Sequence, residues 1–186
     1  MTDRLSHGLP IVGAVRPPPL LPVPVGLVTL RAVVAYDPVA RRELVGLKNR
    51  DERARVTRWA DELAGLVPPI EGLVVTWAPT GARRRRHRGF DQAELLARAV
   101  GRRRGLPVRG LLRRLPGAAQ AGRTASERRA GPVFVARGAC RAPVLLIDDV
   151  ATTGATLSAA ATALRAAGAP AVHGLVVARA PRPGAQ

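Results

Sequence analysis

The chain has 186 residues, and 30 basic against 13 acidic side chains leave it at +17. An apolar share of 47% is ample for a buried core, which excludes a wholly disordered chain, and the length suits one compact domain. A lone cysteine, Cys140, excludes an internal disulfide framework and a multi-cysteine zinc site, and it fits a cytoplasmic location.

Residues 1–26 show no periodicity and contain Pro17-Pro18-Pro19, Pro22 and Pro24, which predicts an irregular N-terminal arm. The longest early uncharged stretch, Pro17 to Leu30, is fourteen residues with five prolines, too short and too broken to span a bilayer. A folded domain is expected over 27–180, with a disordered tail at 181–186. Val28 to Tyr36 is β-branched and apolar and reads as a strand. Asp37-Pro38 ends it and opens a short helix through Glu43, Leu44 and Leu47. From Asp51 to Leu66 an amphipathic helix places Val56, Trp59, Leu63 and Leu66 on one face. Leu73 to Trp77 is a short buried strand. Asp91 to Val100 is helical again, with Ala93, Leu96, Ala97 and Val100 facing inward, and 106–112 reads as another strand. Leu115 to Gly131 has few large apolar residues and reads as a long functional loop. Val133 to Val135 and Val144 to Ile147 are strands. A helix over Ala155 to Ala167 buries Leu157, Ala160, Ala161 and Leu164 and stops at Gly168, before a last strand over Val172 to Ala178. Strands alternating with helices predict an α/β fold, a parallel sheet with helices on both faces.

The charge is concentrated. Between Arg83 and Arg129, fifteen arginines face only Asp91, Glu94 and Glu127, so this block holds +12 of the +17. Such a block expects an anionic partner, a phosphate or a nucleic acid.

Residues 144–157 carry the chemistry. Four apolar residues, Val144 to Ile147, bury a strand, and Asp148 and Asp149 sit at its carboxyl end, where open α/β sheets bind ligands. Ala151, Thr152, Thr153, Gly154, Ala155 and Thr156 then turn into a helix, offering successive amides and three hydroxyls at its positive end. That is a cradle for a phosphate monoester. Successive strand residues point to opposite faces, so Asp148 and Asp149 cannot do identical jobs. Either suits ribose hydroxyls or a Mg2+-bound water. The chain has neither a Walker A pattern nor a Gly-x-Gly-x-x-Gly after a strand. His7 and His173 read as structural, His87 as solvated or phosphate-facing, and Trp59 and Trp77 as core.

Val144 to Leu157 resembles the phosphoribosyl-pyrophosphate signature of the type I phosphoribosyltransferases. RHRGFDQAELLA, from 86 to 97, resembles the Arg-Gly-Phe-Asn-Gln-Ala box of the ComF family, a phosphoribosyltransferase-like group linked to DNA uptake (competence). Leu47-Lys48 and Gln120 to Phe134 are weaker echoes. The cysteine-rich zinc ribbon that often opens ComF proteins has no counterpart here, Trp77-Ala78-Pro79 stands for Pro-Val-Pro, and Asp91 stands for Asn. The resemblance implies a type I phosphoribosyltransferase-like (Rossmann-like) fold that binds phosphoribosyl pyrophosphate with Mg2+. It puts the 5′-phosphate at 152–156, ribose and Mg2+ at Asp148 and Asp149, and pyrophosphate beside Thr80 and Arg88. The implied reaction is a transferase (glycosyltransferase) step that displaces pyrophosphate at the anomeric carbon. Two alternatives keep the same residues: a nucleic-acid-binding or DNA-uptake accessory protein using Arg83 to Arg129, and a non-catalytic regulator. Against DNA, only Phe90 is aromatic within that block, so base stacking has little to work with.

Overall fold

The computed structural model describes residues 22–45, 52–82, 86, 89–116 and 132–180. In chain order these form β1 (Thr29–Ala35), α1 (Pro38–Val45), α2 (Glu52–Gly65), β2 (Val74–Trp77), α3 (Gln92–Arg104), β3 (Leu112–Arg114), β4 (Phe134–Ala136), β5 (Val144–Ala151), α4 (Ala155–Ala166) and β6 (Val172–Arg179). Four strands make one parallel sheet in the order β1-β6-β5-β2, so the architecture is the α/β parallel sheet expected. β5 is interior: Val74 to Trp77 pair with Val144 to Ile147 on one side, and Val172 to Arg179 run beside Val144 to Ala151 on the other. No described helix is long and apolar enough to cross a membrane.

Alternation along β5 divides its side chains between two cores. Leu145 and Ile147 pack with Trp59 and Leu63 of α2 and Leu96 and Val100 of α3. Val144 and Leu146 pack on the other face with Leu157, Ala160, Ala161 and Leu164 of α4 and Phe134 of β4. All eight residues of β6 are buried, its polar ones included. His173 meets Thr29 Oγ1 at 3.0 Å, and burial, then the charge of Arg31, holds its imidazole below the usual range.

The structure departs from the sequence expectation in three places. The segment 106–112 is not one strand. Val108 makes a lone parallel bridge to Val75, and the chain then turns into β3, which pairs antiparallel with β4. Pro107 and Gly110 interrupt it, and Gly110 lies against the Trp77 ring. α3 extends past Val100 to Arg104, because Arg102, Arg103 and Arg104 suit a helix C-terminus and Gly105 closes it in the left-handed conformation. β5 extends past Ile147 to Ala151, carried by its pairing with β6, so the acidic pair lies within the strand. Pro22 to Gly26, part of the expected irregular arm, has no helix or strand and packs against the domain through Gly154 and α4. Residues 1–21, 46–51, 117–131 and 181–186 lie outside the described residues. They take with them most of the arm, the Leu47-Lys48 echo, most of the long loop and the tail.

Gly101 sits in the buried face of α3 where the 106–108 segment crosses it. A Cβ there would overlap Val108 Cγ2 and lie 3.1 Å from the Leu106 carbonyl oxygen. An exposed helical Gly→Ala change gains up to ~1 kcal/mol of propensity. Here Gly101→Ala is expected to lose about 1–3 kcal/mol through overpacking. A lower urea midpoint at unchanged slope checks it, and a raised midpoint would show that the segment yields freely.

Candidate functional site

The site begins where β5 runs out of apolar side chains. Asp148 is 9% exposed and pairs with Val176 of β6 just past the end of β2, whereas Asp149 is half-buried. The two carboxylates therefore do have different surroundings. Each is held by the next residue: Asp149 N–H donates to Asp148 Oδ1 at 2.9 Å, and Val150 N–H to Asp149 Oδ1 at 2.8 Å. Loss of solvent, then the charge of Asp149, pushes the Asp148 carboxyl well above the usual carboxylate range, and Asp91 adds to the effect.

Past Ala151 the chain turns through exposed Thr152 and Thr153 to Gly154, which adopts φ +78° and starts α4 without a side-chain cap. A helix start leaves amides that no intrahelical carbonyl can reach. Ala155 N–H finds Thr153 Oγ1 at 3.3 Å, and Ser158 N–H bonds the Gly154 carbonyl at 2.8 Å to close the first turn. Asp148 and the run from Val150 to Leu157 line a pocket over this turn, bringing together every residue expected of the cradle. Its enclosed space, ≈ 20 Å³, is about that of one water, so a ligand held here stays largely at the surface.

Beside it, the loop after β2 is pinned down. Ala78 N–H bonds the Ile147 carbonyl at 3.0 Å, and Thr80 N–H donates to Asp91 Oδ2 at 2.8 Å. Asp91 precedes the first residue of α3, is 4% exposed, and leaves its Oδ1 with no hydrogen-bond partner among the described residues. Burial raises its carboxyl above the usual range, against the opposing pull of the Thr80 amide. Sequence reasoning noted Asp91 only as a substitute for Asn and missed that it anchors this loop. It also missed Arg114, whose guanidinium lies over the Phe134 ring at 5.8 Å and beside Gly81, with Nε 3.7 Å from where a Cβ would stand. A basic residue at the end of a strand facing the loop was the available signal. Arg88, expected on the pyrophosphate side, lies outside the described residues, as does His87.

The basic block is not a uniform surface. Arg98 pairs with Glu94 at 2.8 Å, and Arg103 pairs with Asp61 while also donating to the Ala99 and Thr57 carbonyls. Arg102, Arg104, Arg109 and Arg113 are exposed. Among the described residues, no three His, Cys, Asp or Glu side chains converge to hold a metal ion.

Comparison with protein-family models and with curated proteins gives no match. Among solved structures the chain is similar to the allosteric regulatory enzyme of purine biosynthesis, at 21% identity over 65% of this chain and 25% of that one, with TM-score 0.45. It therefore spans a quarter of that enzyme's length. It is also similar to a purine phosphoribosyltransferase from Pyrococcus horikoshii (18% identity, 73% and 88% coverage, TM-score 0.38). A third likeness is to the adenine phosphoribosyltransferase of Trypanosoma brucei (14% identity, 73% and 68% coverage, TM-score 0.42).

A carboxyl whose folded pKa is raised stabilises most below its unfolded value, 3.8, and that contribution is lost as pH rises through the raised value. Asp148→Asn keeps an Oδ1 acceptor for the Asp149 amide but cannot ionise. It is expected to raise the Tm by a few degrees at neutral pH and to change it little near pH 4. Thermal unfolding at both pH values checks the sign, and equal shifts at both would remove ionisation as the cause.

Proposed function

We propose that this protein binds phosphoribosyl pyrophosphate and transfers its phosphoribosyl group to a nucleophilic acceptor, which forms the new bond at the anomeric carbon as the bond to the leaving pyrophosphate breaks. One observation carries the reading. An acidic pair on an interior parallel strand, one member buried and the other half-exposed, leads directly into a left-handed glycine and an uncapped helix start, beside a second loop pinned at the adjacent strand end. Two small loops at neighbouring strand ends suit a ligand with phosphate at both ends and a sugar between. The amides and hydroxyls of Thr152 to Thr156 receive the 5′-phosphate, with the α4 dipole favouring its charge. Asp149, the more exposed acid, takes the ribose hydroxyls, and the Thr80–Gly81 loop with Arg114 faces the pyrophosphate.

The donor set suits Mg2+ in its usual mode, held by one or two carboxylates together with substrate phosphate oxygens and waters rather than by an all-protein cage. Asp148 and Asp149 would meet it, and its charge would neutralise the leaving pyrophosphate. This chain's own residues orient the sugar between the loops and hold the leaving group with fixed donors. That is the main requirement when a carbocation-like centre forms and little proton transfer is needed. Arginine serves the leaving group well, being permanently charged and able to grip phosphate oxygens bidentately.

A calorimetric titration with phosphoribosyl pyrophosphate, with and without Mg2+, tests the reading. Binding that depends on Mg2+, competes with ribose 5-phosphate and weakens at least tenfold in Asp149→Asn is expected, since a hydrogen bond to a charged group contributes about 1.5–3 kcal/mol. Absence of binding, alongside salt-sensitive affinity for single-stranded DNA, would transfer the site's arginines to a nucleic-acid role.

A further inference from the structure

Behind the phosphate turn runs a short piece of chain from the other end of the sequence. Pro22 to Gly26 precedes β1 and crosses the start of α4, and three contacts hold it there. Arg179, buried at the end of β6, donates from Nη2 to the Pro22 carbonyl at 2.6 Å. Pro24 lies so close to Gly154 that a Cβ at 154 would stand 2.8 Å from its Cγ and 3.3 Å from its Cβ. Gly26, at φ +85°, lies against α4, where a Cβ would be 3.1 Å from Ala161 Cβ and 3.2 Å from Thr162 N. Leu27 N–H then bonds the Pro24 carbonyl at 3.2 Å, and Val28 N–H joins β6 through the Val172 carbonyl at 2.8 Å. Val23 and Val25, by contrast, are 44% and 77% exposed.

Pro24 is not among the residues that line the pocket, so it backs the turn and does not fill it. The turn needs a backing. Thr152 and Thr153 are exposed, and Gly154 has no side chain with which to hold its own conformation. Glycine is also the residue with most backbone freedom to lose. A prolyl ring is a rigid wall, with φ already fixed and no side-chain rotamers to freeze. The glycine at 154 thus answers two demands at once: a positive φ, and room for the ring.

We infer that Pro24 is a positioning residue of the phosphate turn: its ring, packed on Gly154 from outside the pocket, holds the start of α4 in the shape that receives a phosphate monoester. The inference rests on the phosphate-binding reading above and adds to it a residue from the N-terminal segment. Because the ring acts by preorganisation, its loss should appear as weaker binding and a looser turn while the fold persists.

Four variants test this: Pro24→Ala, Gly154→Ala, the double variant, and Val25→Ala as an outward-facing control on the same segment. Each is titrated with ribose 5-phosphate, melted by circular dichroism, and followed ligand-free by amide hydrogen exchange at 152–155. Pro24→Ala is expected to lose roughly tenfold in affinity, to exchange faster at the turn, and to melt close to the wild type. Val25→Ala should match the wild type in all three. Gly154→Ala should cost less in the Pro24→Ala background than alone, because the Cγ that its Cβ would meet at 2.8 Å is gone and only the 3.3 Å contact to the remaining Cβ is left. Unchanged affinity and exchange in Pro24→Ala, or an affinity loss that merely follows a lower Tm with no faster exchange at the turn, overturns the inference. If the wild type itself ignores ribose 5-phosphate, the phosphate reading falls. Exchange at the turn and the coupling between positions 24 and 154 in Tm then decide whether Pro24 holds it.

Discussion

Asp148 brings an ionisable group into the interior of an apolar sheet, and the rest of the site is arranged around the cost of keeping it there. β6 runs beside it at Val176 and burial cuts it off from water, while the Asp149 amide bonds only one of its oxygens. Asp149 and Asp91 add like charge from two directions. A fold selected for stability alone would place a valine here, as it does at Val144 and Val176. Buried acids crowded together are expected where a ligand supplies the missing positive charge or hydroxyl donors. Asp91 fits the same pattern. One of its oxygens secures the Thr80 loop while the other has no hydrogen-bond partner among the described residues, and burial holds the carboxyl above its usual range.

Most of the fold was legible because hydrophobic period and turn residues agree along this chain. Val144 to Ile147 could only be an interior strand, and Leu157, Ala160, Ala161 and Leu164 could only be one face of a helix. The turn that lines the pocket was legible for the same reason: its residues are contiguous, so a local pattern contains it. What escaped was non-local. β3 and β4 are three residues each and depend on pairing with one another, which no local pattern announces. The extension of β5 through Asp148 and Asp149 opposes their low β-propensity and is imposed by the register with β6. The anchoring role of Asp91 and the stacking of Arg114 on Phe134 depend on residues from different elements meeting in space.

The arginines show why composition alone is a poor guide to function. Within one basic block, Arg103 ties α3 to α2 through Asp61 and the Thr57 carbonyl, while Arg98 stays on its own helix with Glu94 and lies over the Trp77 ring at 5.8 Å. Arg114 belongs to the neighbourhood of the site. The remaining exposed arginines on and after α3 supply a diffuse positive field that favours the approach of a polyanionic ligand without choosing it.

The strand order has a consequence for biosynthesis. β1 is made early but its partner β6 is the last strand: Thr29 waits for His173, 144 residues later, and the Pro22 carbonyl waits 157 residues for Arg179. β2 likewise has no neighbour in the sheet until β5 exists. Over most of translation, therefore, only the helices and the β3–β4 pair can form, and two apolar strands remain without partners. Contacts of such long sequence separation fold slowly and leave sticky edges exposed while they wait. β6 has to insert between β1 and β5, so β2 and β5 can pair before it, but the four-stranded sheet closes only once β6 has left the ribosome, and without Val172 to Arg179 no other described strand pairs with β1.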